Sequence, residues 1–206
     1  MDGKTYLENP SYSALLSLDG GNSTGTGFCF KHTENIYLVT AKHVLFRHDG
    51  KLRCERLIST FQDLKSGQNA AEIWEFEMPS SKCIESLNED IAIIFIGKVG
   101  EREINLENYI TVIQKGSFKP IQLDVDFIRT IDQISIANTV YLMGYPTSLH
   151  FEDISSSIPL LRKGVVAGFD ISSNVFIIDC PAYYGNSGSP IIEKCEDGIL
   201  RFCVSL

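Results

Sequence analysis

The chain has 206 residues, 44% hydrophobic and 21% charged, and its 18 Lys+Arg against 26 Asp+Glu leave a net charge of −8. At about 150 residues per domain this is one domain or two small ones with enough chain to build a core, and the composition excludes a disordered, collagenous or coiled-coil chain. The acid excess, without any long basic cluster, argues against a nucleic-acid partner, whose phosphates demand a positive surface.

In chain order, the amino terminus MDGKTYLENPSYSALLSLDGG lacks the basic region and the continuous apolar run of an export signal, and no stretch approaches the roughly 18 apolar residues of a membrane span. No membrane is expected as a partner. Short runs rich in β-branched and aromatic residues follow, separated by turn residues. They predict strands at Tyr12 to Leu18, Thr26 to Lys31, Ile36 to Thr40, Leu52 to Ile58, Glu72 to Met78 and Ile91 to Ile96. Within Glu72 to Met78 the alternation around Trp74 is imperfect; Ile73, Phe76 and Met78 are expected in a core and the three glutamates in solvent or against a partner. Gly97 to Pro120 carries charges, glycines and a terminal proline, and reads as a connector with one helical turn. A second series predicts strands at Thr139 to Met143, Gly164 to Phe169, Val175 to Asp179, Pro190 to Glu193 and Ile199 to Val204.

Two strand series around a connector, with scarcely a helix, predict an all-β chain of two packed sheets or two small barrels. The expected division is residues 1–110 and 111–206, with a cleft between them where distant residues can converge on a substrate. The six cysteines, Cys29, Cys54, Cys83, Cys180, Cys195 and Cys203, form no CxxC pair and no Cys/His array with zinc spacing, so neither a metal nor another cofactor is expected. Without an export signal, reduced buried thiols and a cytoplasmic location are the expectation, and the sequon at Asn22 carries little weight.

Three segments at predicted strand ends can carry chemistry: Thr40-Ala41-Lys42-His43-Val44, Asn88-Glu89-Asp90-Ile91-Ala92 and Gly185-Asn186-Ser187-Gly188-Ser189-Pro190. Serine is a poor nucleophile at neutral pH; acyl transfer needs a neutral imidazole to take its proton and a carboxylate to hold that imidazole's tautomer. Glycines around Ser187 suit a loop that aims two backbone N–H groups at one oxyanion. His32, His48 and His150 sit in no such pattern and read as exposed loop residues. The glycine-rich run from Gly20 to Gly27 lacks the ending of a phosphate-binding loop. Ser189 occupies the place where a nucleophile elbow of the α/β-hydrolase kind needs glycine.

In this order, TAKHV, EDIAI and GNSGSP resemble the signature blocks of the chymotrypsin-like serine peptidases, most closely the bacterial HtrA-type branch. Gly25-Thr26-Gly27-Phe28 resembles the strand before that family's histidine, and Gly144-Tyr145-Pro146 a turn common in the branch. The likeness covers about residues 11 to 206. It implies two six-stranded antiparallel β-barrels with the site between them. His43 would be the general base, Asp90 its orienter and Ser187 the nucleophile, with the N–H groups of Gly185 and Ser187 forming the oxyanion hole. The substrate would be a protein or peptide, held by Pro181, Ala182, Tyr183 and Tyr184.

Departures from the family pattern are as telling. Where its digestive members carry an aspartate that pairs with a new amino terminus, this chain has Asn186, so activity is expected to depend on loop ordering or a regulatory partner rather than on activation by cleavage. Cys29 is expected where secreted relatives place half of a disulfide beside the histidine, with Val44 in the partner position. The second barrel is expected to be shortened at its end, the remainder lying beyond Leu206. The position six before the nucleophile, acidic in trypsin, is Pro181, which implies small or apolar cleavage-site residues, with Tyr184 at the rim and Asp179 nearby as a complication. A peptidase-fold module that binds peptides without cutting them is the alternative from another functional class.

Overall fold

The computed structural model describes residues 12–19, 21, 23–62, 71–78, 80–100, 103–116, 120, 122–149, 158–173, 175–195 and 200–203. Its first sheet is built from β1 (Ser13–Leu18), β2 (Ser23–His32), β3 (Asn35–Ala41), β4 (Arg56–Gln62), β5 (Ala71–Glu77), β6 (Cys83–Glu85), β7 (Ile91–Val99), β8 (Ile104–Leu106), β9 (Ile110–Gln114) and β10 (Gln122–Asp124). The second comprises β11 (Ile128–Arg129), β12 (Thr139–Gly144), β13 (Leu160–Asp170), β14 (Val175–Asp179), β15 (Ile191–Lys194) and β16 (Leu200–Cys203). The result is the expected all-β, double-barrel arrangement, antiparallel except where β10 joins β2 and β11 joins β16. Among the described residues the only α-helix is one turn, α1 (Lys42–Leu45).

Strict alternation makes these strands. Ala14, Leu16 and Leu18 of β1, Ile36 and Leu38 of β3, Leu57 and Phe61 of β4, and Ala92, Ile94 and Ile96 of β7 all point into one core, because side chains two apart share a face. Each such large apolar side chain, fully buried, is worth about 1.5–3 kcal/mol before chain entropy is counted. A second cluster lies between the sheets: Tyr12 and Leu123 meet Met143, Ile192 and Phe202. Tyr145 reinforces the junction by donating its buried hydroxyl to the Ser13 carbonyl at 3.1 Å. Burial without a charged partner pushes the phenols of Tyr12 and Tyr145 far up, so both stay neutral.

Three expectations need correction. The connector Gly97 to Pro120 holds two strands, β8 and β9; both sit at sheet edges, where charged and exposed side chains hide the pattern. The strand expected at Leu52 begins at Arg56 instead, Leu52 making only an isolated bridge to Phe46. In β5 the buried face is Glu72, Trp74 and Phe76, with Ile73 and Met78 only half-buried. Glu72 turns inward because its carboxylate accepts the Trp74 indole N–H at 2.8 Å and the Gly116 N–H at 2.6 Å, while the indole packs on Phe61.

Candidate active site

Strand register brings His43 to Asp90. β3 and β7 run antiparallel with Ala41 opposite Ile91, and the ladder continues one step further as the Lys42 N–H donates to the Asp90 carbonyl at 3.0 Å. The chain then turns into α1, whose buried Val44 and Leu45 anchor it to the core and leave His43 exposed. Asp90 grips that residue at two points. Its Oδ1 accepts the His43 backbone N–H at 2.9 Å and its Oδ2 lies 2.6 Å from Nδ1. A carboxylate only accepts, so Nδ1 carries the hydrogen and Nε2 is the acceptor nitrogen of the neutral ring. The two side chains are 55% and 57% exposed, so the pair adds at most about 1 kcal/mol to stability; its value is orientation. On the other side of α1, Arg53 Nη1 donates to the His43 carbonyl at 2.7 Å.

Ser187 lies in the loop between β14 and β15 and is held against the first sheet by Thr26 of β2. The Thr26 N–H donates to the Ser187 carbonyl at 2.8 Å, and the Thr26 hydroxyl donates to the Gly185 carbonyl at 2.7 Å while accepting the Tyr145 N–H at 3.0 Å. Thr40, three residues before His43, donates its hydroxyl to the Thr26 carbonyl at 2.7 Å, which ties the serine loop to the strand that carries the histidine. Gly185 and Gly188 have φ of 96° and 84°. A Cβ on Gly188 would lie 2.2 Å from the Thr26 carbonyl oxygen and 2.3 Å from the Thr40 hydroxyl, so only glycine allows this approach.

Within the loop the Asn186 N–H donates to the Tyr183 carbonyl and the Ser189 N–H to the Asn186 carbonyl. Among the described residues nothing accepts from the N–H groups of Gly185 and Ser187, and no hydrogen bond joins the Ser187 hydroxyl to His43. Those two amides are therefore available to a developing oxyanion.

Arg162 on β13 supports the same loop. In the amide orientation that satisfies its surroundings, buried Asn186 accepts from Arg162 Nη1 at 3.0 Å and from the Tyr183 N–H at 3.2 Å, and the guanidinium lies 4.6 Å from the Tyr183 ring centroid. Pro181, Ala182, Tyr183 and Tyr184 are all exposed, Tyr184 more so than Tyr183. Burial holds the neighbouring Cys180 thiol above its usual range, so it is not an activated nucleophile. Reading the sequence misses Arg162, which no motif marks. It also passes over the bridging role of the Thr26 hydroxyl, although Thr26 stands inside the GTGF segment.

Cys29 does not sit where the resemblance places it. It is buried opposite Leu38 and Gln122, and the residue facing Val44 is Gly25, whose added Cβ would lie 2.8 Å from both Val44 methyl carbons. All six cysteines are free thiols. Among the described residues no three His, Cys, Asp or Glu side chains are grouped to hold a metal ion, and no helix is long and apolar enough to cross a membrane.

Residues 25–198 match the trypsin-like peptidase domain family. The chain belongs to the trypsin-like peptidases. Solved structures agree in fold. Deg5 superposes with a TM-score of 0.55 at 17% identity, covering 91% of this chain and 77% of Deg5. The HtrA-type protease AlgW, solved with a tripeptide, gives 0.51 at 16% identity, covering 91% of this chain and 49% of AlgW. A mutant of human heparin binding protein gives 0.54 at 11% identity, over 92% of this trypsin-like chain and 76% of its own. No curated protein matches.

Proposed function

We propose that this chain is a serine endopeptidase working through an acyl-enzyme. Ser187 Oγ attacks the scissile carbonyl carbon as its proton passes to His43 Nε2, and the carbonyl oxygen, now anionic, is met by the N–H groups of Gly185 and Ser187. Collapse breaks the C–N bond, the departing amine takes the proton from His43, and an ester on Ser187 remains. Water then attacks that ester by the same route and regenerates the hydroxyl. Asp90 keeps the hydrogen on Nδ1 throughout, so that Nε2 can serve as base.

The observation that carries this reading is the two-point grip of Asp90 on His43, at 2.9 and 2.6 Å, across the junction from a serine loop with two unengaged amides. The uncharged side chains of Pro181 and Ala182 support a preference for small or apolar residues at the cleavage site. Six free thiols support a reducing, cytoplasmic setting. The absence of a Ser187–His43 hydrogen bond favours a second reading, a latent site that a regulatory partner completes or a module that binds peptide without cutting.

Covalent labelling by a fluorophosphonate probe, with Ser187→Ala as control, tests the reading without knowledge of the substrate. Labelling that disappears in the variant supports an assembled site. A folded chain that never labels, even with its cellular extract added, refutes the peptidase reading in favour of the binding module.

A further inference from the structure

The carboxylate that grips His43 stands on a hairpin tip. β6 and β7 pair as far as Glu85 opposite Ala92, the Ser86 N–H closes the hairpin onto the Ile91 carbonyl at 2.8 Å, and residues 87–90 turn between them. Leu87 is 93% exposed and Asn88 is exposed beside it, so neither pins the tip to the core. Such tips are ordinarily the mobile part of a sheet, whereas Asp90 has to aim two oxygens at once. The β3–β7 ladder brings the two backbones together, but the direction of the carboxylate depends on how the tip is held. Inside the hairpin, Ser86 Oγ accepts the Glu89 N–H at 3.2 Å. From outside it, Lys42 Nζ donates to the Ser86 carbonyl at 2.9 Å and lies 2.9 Å from Glu85 Oε2, while the Lys42 backbone N–H donates to the Asp90 carbonyl at 3.0 Å. Lys42 is therefore bonded to both ends of the turn that carries Asp90, and the next residue in the chain is His43. Among the described residues no other side chain outside the hairpin, apart from the His43 ring, is bonded to residues 86–90.

Resting on the peptidase reading, we infer that Lys42 is a positioning residue that clamps the hairpin tip against α1, so that Asp90 keeps both of its bonds to His43. The Lys42 and Glu85 side chains are 29% and 28% exposed, about half the exposure of the His43–Asp90 pair. An ammonium shared between a carbonyl and a carboxylate, with that much water excluded, is a firmer anchor than a surface ion pair. With its Nζ spent on Ser86 and Glu85, Lys42 acts only through Asp90. Lys42→Met keeps the stem and removes the ammonium, which leaves the tip attached to α1 through the groups of Asp90 alone. A displacement of about 1 Å in a group that positions the reaction costs up to about 100-fold in rate, so labelling of Ser187 by a fluorophosphonate should slow by about 10- to 100-fold.

A double-mutant cycle on the whole chain tests this. A lysine that acts through Asp90 has nothing left to position once the carboxylate is gone, so Lys42→Met should slow labelling of Asp90→Asn by less than about 2-fold while slowing that of the parent by about 10- to 100-fold. Equal slowing in both backgrounds, as a general loosening of α1 would give, overturns the inference, and so does a Lys42→Met chain that labels within about 2-fold of the parent. A second measurement needs no turnover. The His43 Nδ1–H, held by a carboxylate, gives its own far-downfield proton NMR signal, assigned by its loss in His43→Gln. In Lys42→Met this signal should broaden through faster exchange with water while the amide signals of β3 and β7 stay in place; a signal unchanged in width and position overturns the inference. If no form of the chain labels, the peptidase reading fails, and the Nδ1–H signal by itself decides whether Lys42 holds the pair.

Discussion

Removing one hydroxyl should disable the serine loop. Thr26→Val keeps shape but deletes the donor to the Gly185 carbonyl and the acceptor for the Tyr145 N–H, bonds of 2.7 and 3.0 Å between fully buried groups. Each orphaned backbone group costs about 1–3 kcal/mol because no water replaces the lost partner. Allowing for partial relaxation, the variant should lose about 2–4 kcal/mol, which for a chain of this size lowers the melting temperature by about 5–15 °C. The Gly185 carbonyl and the Ser187 amide belong to the same turn, so fluorophosphonate labelling should fall more than 100-fold even well below the melting point, an effect comparable to losing an oxyanion donor. Thr26→Ser keeps the hydroxyl and should restore most of the labelling. Scanning calorimetry and the labelling rate at 20 °C make the measurement. If Thr26→Val melts within 1–2 °C of the parent and labels at the parent rate, this hydroxyl does not hold the loop and the account of Ser187 placement is wrong.

Asp90→Asn should leave the melting temperature within about 3 °C of the parent, since the His43 pair is half exposed, yet slow labelling by about 10³- to 10⁴-fold because an amide can stabilise the wrong tautomer; a loss of stability as large as that of Thr26→Val would contradict the orienting role. Arg162→Ala removes the donor to buried Asn186 and the stack on Tyr183, and should lower kcat on a fluorogenic peptide by about 10-fold or more with KM little changed, whereas a KM effect alone would make it a binding residue. Burial pushes the Cys54, Cys83 and Cys203 thiols from 9.0 up to about 12, about 11 and about 12. The unfolded thiols ionise first, so stability is full below about pH 9 and falls as pH rises towards 11, by up to about 1.4 kcal/mol per thiol per pH unit. Urea midpoints at pH 8 and pH 10 should separate clearly for the parent and much less for the triple alanine variant; parallel shifts would refute the assignment.

Much of this was legible in the residues, and the parts that were not share a cause. Central strands such as β1, β3 and β7 announce themselves because one face is buried and the alternation is clean. β8 and β9 are edge strands; Thr111 to Lys115 is exposed throughout, so nothing distinguishes it from a loop. Glu72 breaks the pattern in β5 because two N–H donors make a buried carboxylate tolerable, a fact about neighbours and not about spacing. His43, Asp90 and Ser187 stand out through their motifs. Arg162 does not, because its link to Asn186 exists only once β13 is folded beside the loop. The misplacement of Cys29 has the opposite origin: the resemblance supplied a position, and the register of β2 against β3 put Gly25 there instead.

The three site residues are not held with equal security. His43 stands two residues after β3 and Asp90 one residue before β7, so the β3–β7 ladder dictates their meeting; a one-residue slip would reverse the faces of both strands and bury the wrong side chains. Ser187 has no such ladder. It sits in a loop that adopts two left-handed glycine conformations and depends on separate ties: the backbone and hydroxyl of Thr26, the close approach of Gly188, and the Arg162–Asn186 contact. Each tie is worth a few kcal/mol at most, far less than the sheet core that fixes the other two residues. Any influence that switches this site on or off with the fold intact would therefore act on the loop from Pro181 to Pro190. His43 and Asp90 would stay paired in both states.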